Sequence, residues 1–157
     1  MLVDLGSALG RQGFRAVVLL SGHLGNMTAM KEAAREIFSH GGPKVYYLFY
    51  PGLSEAAADV MESRRSHPAI VHADELETSL LLALVPEAVH MERAVAEYPE
   101  YPPDFDVTPA YWDGVSPSGV FGDATAASAE KGRRILGGVL GRTAALIQHL
   151  IREVTQQ

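Results

Sequence analysis

The chain contains no cysteine. That excludes disulfides, thiolate-held metal sites and a cysteine nucleophile, and it fits a reducing compartment. Positive charge is scarce as well: 13 Lys and Arg stand against 19 Asp and Glu, for a net charge of −6 and a pI near 5.4. Such a balance offers no basic footprint for nucleic acid or an anionic membrane surface. No apolar run approaches the roughly 20 residues of a membrane span, and the opening Met1-Leu2-Val3-Asp4 does not have the form of a signal peptide. Gly-x-Ser-x-Gly, P-loop and Gly-x-Gly-x-x-Gly patterns are all absent, so serine-hydrolase, nucleotide-hydrolase and dinucleotide readings lack support. No internal repeat or low-complexity tract interrupts the sequence. The expectation is a single cytoplasmic domain over 1–157, and at 47% hydrophobic and 20% charged residues it can bury a core without staples.

What is present reads as an α/β chain. Leu2, Leu5, Ala8 and Leu9 recur at helical spacing, with Gly13 as the stop. The run Phe14 to Leu20 is short, continuous and branched, which predicts a central parallel strand covered on both faces. After Ser21-Gly22-His23-Leu24-Gly25-Asn26 comes a helix whose inner face is Met27, Met30, Ala34 and Ile37-Phe38. Gly41-Gly42-Pro43 breaks it, and Val45 to Tyr50 supplies a second strand. The order is that of a right-handed βαβ unit. Residues 51–69 read as a surface excursion or lid with a short helix from Glu55 to Ser63. A strongly apolar helix then runs from Glu75 to Val85 and stops at Pro86. Residues 97–118, rich in Pro, Tyr and Asp, form an irregular connection. A last helix covers Thr125 to Glu153, capped by Asp123 or Thr125, with Leu136, Val139-Leu140, Ala144, Ile147 and Leu150-Ile151 as its stripe.

Chemistry concentrates in two stretches. His23 follows a buried strand directly, where ligand sites of open α/β sheets form, outside the carboxyl ends of the strands. Gly22 and Gly25 let the backbone approach an ion or anion closely, and Asn26 is placed to cap the next helix or to orient the histidine. The second stretch is His72-Ala73-Asp74-Glu75-Leu76-Glu77-Thr78-Ser79. Three apart, His72 and Glu75 can share one side of a helical turn, while Glu77 points elsewhere; Thr78 and Ser79 add hydroxyls that can brace a ligand. His23, His72 and Glu75 would make a nitrogen and oxygen site suited to zinc, manganese or iron. A metal there lowers the pKa of bound water to about 7 and polarises a carbonyl, which is amide-hydrolase chemistry. Trp112 can line a pocket or simply pack its loop. Asp123 is a further candidate ligand or pocket residue, though a helix N-cap suits it better.

Together, Ser21 to Asn26, His72 to Ser79 and Gly119-Val120-Phe121-Gly122-Asp123-Ala124-Thr125 resemble the creatininase (creatinine amidohydrolase) family. That family carries Asn-Gly-His-Gly-Gly-Asn after a strand, then His-Ala-Gly-Glu-x-Glu-Thr-Ser, then Gly-Val-x-Gly-Asp-Pro-Thr before a closing helix. Glu130-Lys131-Gly132 matches as well, and the resemblance covers essentially the whole chain. It implies a three-layer α/β/α sandwich with a mostly parallel sheet, a homohexamer, and a two-metal site. It also implies hydrolysis of a C–N bond in a small-molecule or peptide amide through metal-activated water. On the resemblance His23 and Glu75 would be metal ligands and His72 the catalytic group that assists proton transfer. Gly25 stands where creatininase proper has a Glu, so creatinine itself is disfavoured against formamide, lactam or peptide substrates.

The chain also departs from the family pattern. Ser21 replaces Asn, Leu24 and Asp74 replace Gly, and Ala124 replaces Pro. The family's first strand segment, with its Glu-x-His-Gly loop and following metal-binding Asp, has no counterpart in the sequence. Two other readings therefore stand beside the hydrolase. One is a catalytically inactive fragment or partner subunit that keeps the fold. The other is a small-molecule binding domain that works without metal.

Overall fold

The computed structural model describes residues 1–156. Its backbone runs α1 (Leu2–Arg11), β1 (Ala16–Ser21), α2 (Met27–Ser39), β2 (Lys44–Phe49), α3 (Leu53–Ala58), α4 (Glu75–Leu84), β3 (Ala96–Glu97), β4 (Gly122–Asp123) and α5 (Ala129–Thr155), with short 3-10 turns between. Two compact units emerge: Met1–Gly52 with the chain from Val139 onward, and Leu53–Gly138. α5 starts in the second unit and ends in the first.

The first unit is the expected βαβ. β1 and β2 pair in parallel, with Ala16 opposite Lys44 and Ser21 opposite Phe49. The crossover α2 buries Met30, Ala33, Ala34 and Ile37, a clean i, i+3, i+4, i+7 stripe, whereas Phe38, expected inside, is exposed. Hairpin-like stops are glycines at positive φ, Gly13 (+90°) after α1 and Gly41 (+69°) after α2. The two-faced burial expected for β1 is not found. Val18 and Leu20, two residues apart and therefore on one face, are exposed, Leu20 by 59%. Among the described residues β1 pairs with β2 alone. An apolar groove of about 380 Å³ remains within this unit between Phe14, Val18 and Tyr46 and the α5 residues Ile147, Leu150 and Ile151.

The second unit is built on α4 and the first turns of α5. Leu76 and Leu80 of α4, Phe121, Ala124, and Ile135 of α5 are buried. The inner face of α5 carries Gly132, Ile135 and the expected Val139, whereas Leu136 is half-buried and Leu140 exposed. At Gly132 the two helices meet backbone to backbone, because a Cβ there would fall inside the Ser79 carbonyl and 2.8 Å from the Ala83 Cβ. Residues 51–69 are tied down rather than lid-like. α3 ends at Ala58, short of the expected Ser63, and Val60, His67 and Ile70 are buried. His67 packs on Tyr101 at 4.7 Å and Phe105 at 5.6 Å, accepts the Ala69 N–H on Nδ1 and lies 3.2 Å from Asp106 through Nε2. The irregular connection is pinned by Glu97, whose carboxylate accepts from the Ser116 hydroxyl and from both the amide and hydroxyl of Ser118. No helix among the described residues is long and apolar enough to cross a membrane.

Candidate active site

In the first unit the chain leaves β1 at Ser21 and turns through His23 into α2. The Ser21 side chain, 8% exposed, holds that turn. Its hydroxyl donates to the His23 carbonyl (2.9 Å) and accepts from the His23 amide (3.1 Å) and from Asn26 Nδ2 (3.0 Å). Of the two roles open to Asn26, capping α2 is not the one observed: its side chain makes no cap bond and turns back to Ser21 instead. The His23 ring is exposed and lies over Gly25, where a Cβ would sit 2.8 Å from Nε2. Gly22 faces the Tyr50 hydroxyl, and Tyr50 itself takes φ +33°, a left-handed value unusual for a tyrosine. Thus the end of β2 braces the loop that follows β1.

In the second unit the 72–79 stretch does not form one helical turn carrying His72 and Glu75 side by side. The helix starts only at Glu75. Asp74 is its N-cap, accepting from the Leu76 and Glu77 amides at 3.0 Å each, and Ala73 before it takes φ +48°. That left-handed residue swings His72 off the helix. His72 is anchored through its carbonyl to the Phe121 amide (3.0 Å), and its ring meets Trp112 edge-on at 5.1 Å and Phe121 at 6.0 Å. Glu77 accepts the Ala73 amide at 2.7 Å through Oε2, which also lies 4.0 Å from His72 Nδ1. Thr78 reaches back to the Ala73 carbonyl at 3.4 Å. Trp112 is therefore at the His72 ring, while Asp123 is occupied as a cap, accepting from the Thr125 amide and hydroxyl.

Glu75 goes elsewhere. It is fully buried, and its carboxylate accepts from the Glu62 amide (3.1 Å), the Ser63 amide (2.7 Å) and the ammonium of Lys131, which also bonds the Ala126 carbonyl (2.7 Å) and lies 3.1 Å from Glu62. Burial alone raises the Glu75 carboxyl, but Lys131 and the two amides more than offset it, and its pKa falls below the ordinary 4.5. Lys131 is the converse: burial lowers it, the two glutamates overcome this, and its pKa rises above 10.5. Asp74 is dominated by desolvation and moves up from 3.8 despite its amide bonds. Lys131 was not singled out from the sequence as a site residue, although a lysine next to the inward Gly132 and Ile135 of an amphipathic helix is a readable sign of a buried partner.

Among the described residues no group of three or more His, Asp or Glu is gathered as a metal cage. His23, an exposed imidazole on a braced loop, fits a metal as a single donor. Glu75 fits only if Lys131 withdraws, since both carboxylate oxygens are engaged.

The fold coincides with that of a known class. The family profile described as creatinine amidohydrolase matches residues 1–147, and the chain belongs to the creatininase family. Among curated relatives, the creatinine amidohydrolase of Pseudomonas putida is 31% identical over 143 residues, 85% of this chain and 55% of its own length. The 3-dehydro-scyllo-inosose hydrolase of Thermotoga maritima is 27% identical over 99% of this chain and 56% of its own. A crystal structure of creatinine amidohydrolase superposes with a TM-score of 0.75 at 31% identity, covering 94% of this chain and 61% of that one. Zinc and manganese forms of creatininase superpose at 0.71 and 29% identity over the same shares. The chain thus shares the α/β fold of creatininase and spans about half the length of the curated relatives it matches.

Proposed function

We propose that this chain carries part of the active centre of a metal-dependent amidohydrolase, acting on a C–N bond of an amide, formamide or lactam. The observation that supports the reading most is the His23 loop: an exposed imidazole at the carboxyl end of a parallel strand, with its backbone locked by Ser21. Zinc and manganese forms of the related creatininase point to a divalent ion as the cofactor. Such an ion supplies Lewis acidity at the scissile carbonyl and a nucleophilic water at neutral pH. His23 would be its donor from this chain. Glu75 would be open to a ligand only on release from Lys131.

His72 would handle the proton. Its ring is half-buried against Trp112 and Phe121, with the Glu77 carboxylate 4.0 Å from Nδ1. Gly22, Gly25, Asn26 and Thr78 would support these two histidines. The chain would act as a creatininase-like domain, in a homo-oligomer of the kind the family resemblance implies.

With zinc or manganese added, the chain should hydrolyse at least one member of a panel of formamides, small lactams and peptide amides, and chelation should abolish turnover. His72→Ala should cut the rate by about 10²- to 10⁴-fold, the usual worth of a positioned proton donor or acceptor. Binding of such an amide that survives exhaustive chelation, with no turnover at any metal concentration, would overturn the reading in favour of a metal-free binding domain.

A further inference from the structure

We propose that Ser21 is the positioning residue for His23 and that Gly25 is the seat for its ring; the use made of that ring rests on the functional reading above. The Ser21 Oγ has one proton and two lone pairs. All are used: the proton goes to the His23 carbonyl, and the lone pairs take the His23 amide and Asn26 Nδ2. One atom therefore fixes both backbone polar groups of His23 and the side chain that begins α2. The Asn26 amide also donates to the His23 carbonyl (3.2 Å), but among the described residues no other side chain bonds the His23 backbone.

The consequence is directional. With its N–H and C=O both held, the His23 backbone is set at φ −133°, ψ 125°, an extended conformation directly before a 3-10 turn at Leu24–Asn26. The ring lies across residue 25, where an added Cβ would stand 2.8 Å from Nε2 and 3.1 Å from Cδ2, so a side chain at that position would displace it. Ser21 sets the departure of the side chain, and the bare Gly25 gives the ring somewhere to lie. A carboxylate at position 25 and this ring position are mutually exclusive.

Solution NMR of the metal-free 157-residue protein tests this. Nuclear Overhauser contacts from the His23 ring protons to the Gly25 α-protons are expected in the native chain and in Ser21→Thr, which keeps the hydroxyl. They should disappear in Ser21→Ala while the amide spectrum of α2 and β2 stays in place. Ring-to-Gly25 contacts that persist in a folded Ser21→Ala protein would overturn the proposal. If Ser21→Ala does not fold, Gly25→Ala decides: it keeps the Ser21 bonds, so the His23 ring resonances should shift while the Asn26 side-chain amide does not. An unmoved ring in Gly25→Ala would likewise overturn it. Zinc added to the same samples should perturb the His23 ring in the native chain, with apparent affinity about 10- to 100-fold weaker in Ser21→Ala, as for other residues that orient a ligand. A native chain whose His23 ring ignores zinc would count against the metal reading alone, because the ring contacts judge Ser21 without metal.

Discussion

Lys131→Met should destabilise the protein by about 3–5 kcal/mol, the usual cost of leaving one partner of a buried ion pair behind. The carboxylate left behind is that of Glu75, which has no exposure and would keep only the amides of Glu62 and Ser63. The double variant Glu75→Gln, Lys131→Met should recover more than half of the loss, because the glutamine oxygen still accepts an amide and no charge is buried. Urea unfolding of the single and double variants measures this. Additive losses would show that the pair is not coupled.

The pH dependence follows from the same pair. Glu75 has a depressed folded pKa, so its stabilisation is present above its unfolded value near 4.5 and is lost as pH falls through the lower folded value. Lys131 has a raised one, so its contribution is present below 10.5 and fades as pH rises through the higher folded value. Asp74, raised by burial, works the other way on the acid side, since its protonation favours the fold. The native chain should therefore lose stability on acidification below about pH 4.5, whereas in Lys131→Met that acid loss should shrink or reverse.

Gly132→Ala should cost about 3 kcal/mol or more. Overpacking usually costs 1–3 kcal/mol when side chains can adjust. Here the collision is with the backbone carbonyl of Ser79 and with the Ala83 methyl group, so α4 and α5 must separate. Gly137→Ala in the same helix is the control. Nothing lies within 4 Å of a Cβ at that position, and the change should stabilise by about 0.5–1 kcal/mol through helix propensity. Thermal or urea unfolding of the two variants should move in opposite directions; equal effects would mean that the close crossing at Gly132 is not what holds the second unit.

These two predictions rest on features of different legibility. The βαβ unit could be read because its signals are local: a branched run, glycines at the ends, and a 3.6-residue stripe on α2. Phe38 and the exposed face of β1 could not, since which side of an element is covered depends on partners distant in sequence. The geometry of the 72–79 stretch is not legible in the sequence. A left-handed Ala73 breaks the helical spacing that would have paired His72 with Glu75, and nothing in an alanine announces a positive φ. Likewise Glu75 was read as open for a ligand because its partner, Lys131, lies 56 residues away along the chain. The role of Ser21 rests on three hydrogen bonds that a lone serine in the sequence does not announce.

The central claim is that this chain holds a divalent metal through His23. Elemental analysis of the purified protein, after equilibration with zinc or manganese and removal of loosely bound ions, tests it most directly. The account predicts more bound zinc or manganese in the native chain than in His23→Ala, the variant keeping its native circular dichroism. Metal no higher in the native chain than in His23→Ala would contradict it.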